Sequence, residues 1–264
     1  MQISEAAWER LLALRFGNEG VAGVDAACRL YGPIAGARGQ FVLAQVGQSL
    51  DGRIATPAGD ARDISGPDGL AHLHRCRALV DAVIVGVGTV KADDPKLSVR
   101  MVKGPAPVRV VVDCHGDLDG RESLFRDGGA PVVVIRSSTA RGRLLLGADV
   151  VSLPPKASGL DPQDILDALA QRNLLRVLVE GGARTIARFI EAGLVDRLHV
   201  AISPIIIGSG PSGIILPPVE RLTGAHRPVT DVYNLGSDIL FDCRLERDSG
   251  SGRQGKDVCV AHQA

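Results

Sequence analysis

Short unbroken runs of β-branched residues constrain this chain more than any other feature. AVIVGV (82–87), VRVVVD (108–113), PVVVIRS (131–137), DVVSL (149–153) and LRVLVE (175–180) lack the apolar–polar alternation of a half-wet strand. A strand apolar on both sides must be covered on both sides. Helical segments separate these runs, which predicts an α/β fold built on a mostly parallel central sheet with helices on both faces. Further strands are expected at FVLAQV (41–46) and RLHVAISPIII (197–207). DVYNL and DILFDCRL, joined through Gly236 and Ser237, predict an antiparallel C-terminal edge.

The helices carry start and stop signals. SGPDGLAHLHRCRALVD (65–81) has Ser65 as a candidate N-cap and Pro67 in its first turn. DPQDILDALAQRN (161–173) opens on Asp161 and Pro162, and ARTIARFIEAG (183–193) closes on Gly193. Residues 4–16 place Trp8, Leu11, Leu12 and Phe16 at helical spacing. The following stretch, up to about Gly39, is rich in Gly and Ala and has little period. Three regions follow: a helical extension over 1–40, a main domain over 41–247 and a Ser/Gly/charge-rich tail over 248–264, expected to be disordered.

Composition excludes several classes of function. Lys plus Arg equals Asp plus Glu at 30 each, so the basic surface of a nucleic-acid binder is not expected. Aromatic residues make up only 3%, too few for base-stacking platforms. No apolar run reaches the roughly 18 residues of a membrane span, and no export signal is expected at the N-terminus. The five cysteines form no C-x-x-C pair and read as free thiols of a reducing compartment, which points to the cytoplasm.

Ligands of open α/β sheets sit beyond the carboxyl ends of the strands. VLVEGGARTI (177–186) therefore puts Glu180 at the mouth of the sheet, followed by Gly181 and Gly182 at the start of a helix. That turn suits a phosphate held by backbone N–H groups, or is an ordinary tight turn. A second mouth follows AVIVGVGT, with Gly86, Gly88 and Thr89; Asp93 and Asp94 beyond it fit an Asp-Pro turn better than a metal site. Arg77 lies near the apolar stripe of its helix with Leu70, Leu73 and Val80. A charge there needs a partner, either an acid such as Glu180 or an anionic substrate. Arg100 reads as solvated unless the fold brings it to the same mouth. His72 and His74 do not face each other, so no metal site is expected from them. Arg136 and Ser137 fit either a cofactor 2′-phosphate or a surface loop.

Four segments together resemble a known family. SLDGRIA (49–55), HRCRALVDAVIVGVGTVKADDPKLSVR (74–100), VLVEGGARTI (177–186) and GLVDRLHVAISPIIIGSG (193–210) resemble the reductase domain of bacterial bifunctional riboflavin-biosynthesis deaminase/reductases, over roughly 41–245. The resemblance implies a dihydrofolate-reductase-like fold. It implies NADPH-dependent reduction of a phosphoribosylaminouracil, a phosphorylated pyrimidine, with hydride going to C1′ of the ring-opened sugar. It further implies that Gly47, Thr89, Asp93 and the turn Gly181, Gly182, Ala183, Arg184, Thr185, Ile186, Ala187 and Arg188 hold the cofactor. Arg77, Leu97, Arg100 and Glu180 would line the substrate pocket, with Glu180 and Asp93 as the catalytic carboxyls. A homodimer formed through a sheet edge is also implied, and LHVAISPIII is apolar enough to contribute.

The chain departs from the family pattern at Gln45, where a Lys is common, at Ala61, where a Ser is common, and at Asp63, where an aromatic is frequent. These departures keep two alternatives open: a same-fold reductase of another pyrimidine or pterin-like compound, and a nucleotide-binding protein without catalysis.

Overall fold

In the computed structural model of the chain, residues 1–18, 25–157 and 159–245 are described. The tail assigned from the sequence to 248–264 lies outside them. The sheet is formed by β1 (Phe41–Ser49), β2 (Ala82–Gly86), β3 (Val108–Val112), β4 (Val132–Ser137), β5 (Ala148–Leu153), β6 (Arg176–Glu180), β7 (Arg197–Ser203), β8 (Val229–Asn234) and β9 (Ile239–Arg244). Their spatial order is β5-β4-β3-β2-β6-β1-β7-β9-β8. The first seven run parallel, and β9 and β8 close the sheet antiparallel, as the sequence leads one to expect.

Two separate cores explain the unbroken apolar runs except DVVSL, which forms the edge strand β5 with Asp149 and Val150 exposed, because it is the last strand of the sheet and neither layer covers it fully. One face is covered by α1 (Glu5–Arg15), α2 (Ala26–Ala35) and α3 (Pro67–Leu79), and includes Leu11, Tyr31, Ile34, Leu43, Val83 and Leu178. The other face is covered by α5 (Pro162–Ala170) and α6 (Ala183–Glu191), with Val42, Ile84, Val177, Ile186 and Phe189. α4 (Val87–Asp93) is a short element at the end of β2. Successive strand residues point to opposite faces, so Leu178 and Val179 serve different cores.

The structure corrects several expectations. The period-poor stretch before Gly39 contains α2, whose Leu30, Tyr31 and Ile34 are fully buried. α1 and α2 are also fastened to the base of the sheet. Arg176 bonds the Asp81 carboxylate and donates to the Arg15 and Ala35 carbonyls. Ser65 does not cap α3. Gly66 is the N-cap residue; the Gly66 N–H donates to the Asp238 carboxylate at 3.1 Å and the Asp68 N–H to the Ser237 hydroxyl at 3.1 Å. β7 is not a sheet edge, since β1 and β9 flank it.

Candidate active site

β2 and β6 are neighbours, so the two mouths read from the sequence form one. β6 ends on Glu180, and the next two residues are left-handed, Gly181 at φ 68° and Gly182 at φ 76°. A side chain at either would be strained. It would also be crowded: a Cβ on Gly181 would lie 3.2 Å from Thr89 Cγ2, and one on Gly182 3.2 Å from Thr89 Oγ1. α6 then begins with no side-chain cap on its first N–H groups. Bare N–H groups at a helix start form an anion site. Arg184 in the first turn is exposed and has no ionic partner among the described residues.

The other half of the mouth is tightly paired. Arg77 of α3, 6% exposed, grips Glu180 with two parallel bonds, Nε donating to Oε2 at 2.8 Å and Nη2 to Oε1. Its Nη1 donates to the Ser98 carbonyl at 3.0 Å. Burial opposes the Arg77 charge, but the Glu180 carboxylate outweighs that cost and holds the guanidinium pKa above its ordinary value. The sequence left Arg77 with two possible partners, and here its partner is Glu180. Such a bidentate pair fixes both side chains in orientation.

His74 sits beside this pair with 1% exposure, its Nδ1 accepting from the Arg100 N–H at 3.2 Å. Burial, with Arg77 and Arg100 nearby, lowers its pKa to about 4. It is therefore a neutral imidazole at neutral pH. Gln45 on β1 stands in register with Glu180 and is 4% exposed. The position where the family pattern places a cation thus carries a buried neutral amide.

Residues 40–241 match the RibD C-terminal domain family. The chain belongs to that family. A Methanothermobacter thermautotrophicus protein named 2,5-diamino-6-ribosylamino-4(3H)-pyrimidinone 5′-phosphate reductase is 31% identical over 211 residues, covering 76% of this chain and 96% of that one. The riboflavin biosynthesis protein RibD of Bacillus amyloliquefaciens is 30% identical over 227 residues, covering 83% of this chain and 60% of that one. The solved deaminase/reductase of Thermotoga maritima superimposes with a TM-score of 0.70 at 26% identity, covering 83% and 60%. The chain thus spans about 60% of the length of these bacterial relatives, but nearly all of the archaeal reductase.

The remaining family positions fall into distinct places. Gly47 lies on β1, where a Cβ would meet Ser65 Oγ at 2.5 Å. Thr89 packs over the glycine turn. Asp93 ends α4 at the rim, and partial burial raises its pKa. Its neighbour Asp94 turns away to accept from the Ser123 N–H at 2.9 Å. Leu97 is buried at φ 51° and Arg100 is exposed. Within the 183–188 turn, Ala183, Ile186 and Ala187 bury their side chains in the protein, and the Ile186 N–H is already taken, donating to the Gly182 carbonyl at 3.2 Å. Thr185 faces back toward Gly86 and Gly182, and Arg188 donates to the Leu160 carbonyl at 2.7 Å. Arg136 is neither a surface residue nor free for a 2′-phosphate. It is buried, bonded to Asp113 at 3.3 Å and to the Arg143 carbonyl at 2.7 Å. Sequence reasoning missed His74; its place one helical turn before Arg77 was the available signal.

Proposed function

We propose that the chain uses NADPH to reduce a 5-amino-6-(5-phosphoribosylamino)pyrimidine, converting its ribosyl group to ribityl in riboflavin biosynthesis. One observation carries this reading: an uncapped glycine turn with a free Arg184 adjoins a fixed Arg77–Glu180 pair across neighbouring strand ends. The turn fits the cofactor pyrophosphate, since only glycine allows the backbone so close to Thr89. Arg184, Thr89 and Gly47 would hold the rest of NADPH, which when bound supplies a hydride to the sugar C1′.

The chain's own residues then position and polarise the substrate. The Glu180 carboxylate, clamped by Arg77, would lie where the open-chain imine becomes cationic at C1′. Arg100, exposed at the rim, fits the substrate phosphate. Asp93, with its raised pKa, is placed to exchange a proton at the rim. Leu97 and neutral His74 form the dry wall behind the sugar. Most of the acceleration then comes from positioning, because hydride chemistry resides in the cofactor.

Gln45 favours a second reading within the same chemistry. A neutral amide beside Glu180 suits a pyrimidine with a different ring substituent, and the archaeal relative is named for the 2,5-diamino form. The homodimer would use β8, the antiparallel edge, where Val229 and Val232 are exposed. No helix of the described residues is long and apolar enough to cross a membrane, consistent with a cytoplasmic enzyme.

The test is NADPH oxidation, followed at the reduced-nicotinamide absorbance band, with the uracil and the 2,5-diaminopyrimidinone substrates in parallel. Turnover of either establishes the reaction and chooses the ring. Tight NADPH binding with no oxidation by either would overturn the catalytic assignment and leave a nucleotide-binding protein.

A further inference from the structure

A second cluster of reactive side chains lies deeper, behind the Arg77–Glu180 pair. His72 and Cys76 are one helical turn apart on α3 and so share a face. His199 comes from β7, 123 residues downstream of Cys76, and all three are fully buried at 0% exposure. His72 Nε2 lies 3.6 Å and His199 Nδ1 3.8 Å from Cys76 Sγ. The three donor atoms all fall within 4.8 Å of one another.

The far side of each imidazole faces a polar group, hydrogen-bonded in the case of His72. His72 Nδ1 bonds the Tyr31 hydroxyl at 2.8 Å. His199 Nε2 faces Asp242 Oδ1 at 3.3 Å, and Asp242 in turn bonds Arg197. One ring nitrogen directed to a shared centre and the other to a hydroxyl or carboxylate is the arrangement that orients histidine metal ligands. An ion with bonds of about 2.3 Å to sulfur and about 2.0 Å to nitrogen separates those ligands by roughly 3.5 Å when tetrahedral and 3.7 Å when trigonal. The two sulfur–nitrogen spacings match those separations.

We propose that His72, Cys76 and His199 form a buried site for one thiophilic d10 cation, Zn²⁺ or Cu⁺. A thiolate with two imidazoles selects soft metals over Mg²⁺ or Ca²⁺. Among the described residues three ligands converge and no fourth does, which matches trigonal Cu⁺ directly and leaves Zn²⁺ to take one water. Binding exchanges the Cys76 thiol proton, released to solvent, for one metal–sulfur bond. No electron transfer is involved. The ion would tie α3 to β7 behind the reductase mouth, so its role is structural and independent of the proposed substrate and cofactor.

The full chain, purified without chelator, should carry close to one equivalent of zinc or copper by elemental analysis, which identifies the metal. Reduced metal-free protein, refolded anaerobically, should bind Co²⁺ with a thiolate charge-transfer band or retain Cu⁺ against a chelator. Cys76→Ser should abolish the band, whereas Cys114→Ser should keep it. Tyr31→Phe, a milder change, should weaken binding about tenfold or more. If native protein carries no metal and the reduced protein neither shows a thiolate band nor retains Cu⁺, the proposal is overturned. The cluster is then a hydrogen-bonded chain from Tyr31 through His72 and Cys76 to His199. A band that survives Cys76→Ser in folded protein overturns it equally.

Discussion

The two halves of the mouth solve opposite problems. On the α3 side, Arg77 and Glu180 are nearly buried and satisfy each other before any ligand arrives. On the α6 side, the glycine turn and Arg184 present positive character with no partner among the described residues. The first half has its geometry set by packing and charge pairing. The second has its geometry set by backbone conformation and shows no counter-charge among the described residues. Breaking the first should therefore damage stability, whereas breaking the second should damage affinity.

Four experiments sharpen this contrast. Arg77→Met leaves the Glu180 carboxylate unpaired at low exposure and should cost about 3–5 kcal/mol in urea unfolding. Arg77→Met combined with Glu180→Leu should recover much of that loss while leaving no turnover. If the double variant is as unstable as the single one, the pair is not the source of the effect.

Acid tests the same half. In the unfolded chain His74 titrates near its ordinary value, whereas in the folded protein burial lowers it to about 4. The unfolded state then binds the extra proton between those values, so stability falls as pH drops from about 6.5 to 4, by on the order of 2 kcal/mol. His74→Gln should flatten that limb of the stability–pH curve relative to wild type.

The glycine turn should respond differently. Gly182→Ala forces a Cβ onto φ 76° and to 3.2 Å from Thr89 Oγ1. It should cost about 1–2 kcal/mol of stability, with NADPH affinity measured by fluorescence titration falling as well. Gly88→Ala, where the added Cβ meets nothing within 4 Å, should not destabilise. Arg184→Glu should weaken NADPH binding about tenfold, less at high salt, while unfolding stays within about 0.5 kcal/mol of wild type. An affinity unchanged by Arg184→Glu would place the cofactor phosphates elsewhere.

The parallel strands and the glycine turn were legible because their signals are local. Unbroken Val/Ile runs, Asp161 before Pro162 and the glycine pair at 181–182 need no distant partner to be read. α2 was not legible, because Pro33 and the small residues around it hide its period. It is held by Trp8 and His72, which pack on Tyr31. α4 was missed because seven residues opening on Val-Gly-Thr carry no cap or stripe. The partner of Arg77 could be narrowed to an acid or a ligand, but only the packing of α3 on β6 sets Glu180 against it. The convergence of His72 and Cys76 on His199 depends on the β1–β7 pairing, which no spacing within α3 reveals.

The start of α3 carries a consequence for how the chain matures. Its first N–H groups are satisfied by Ser237 and Asp238, in the turn between β8 and β9, 172 residues after Gly66. During synthesis α3 leaves the ribosome long before its own cap has been made. The helix that carries Arg77, His74 and Cys76 must wait, with a frayed first turn, until the last hairpin closes on it. Completion of the mouth thus follows synthesis of the β8–β9 hairpin. A nascent chain halted before β8 should hold the sheet's parallel strands with the start of α3 still uncapped.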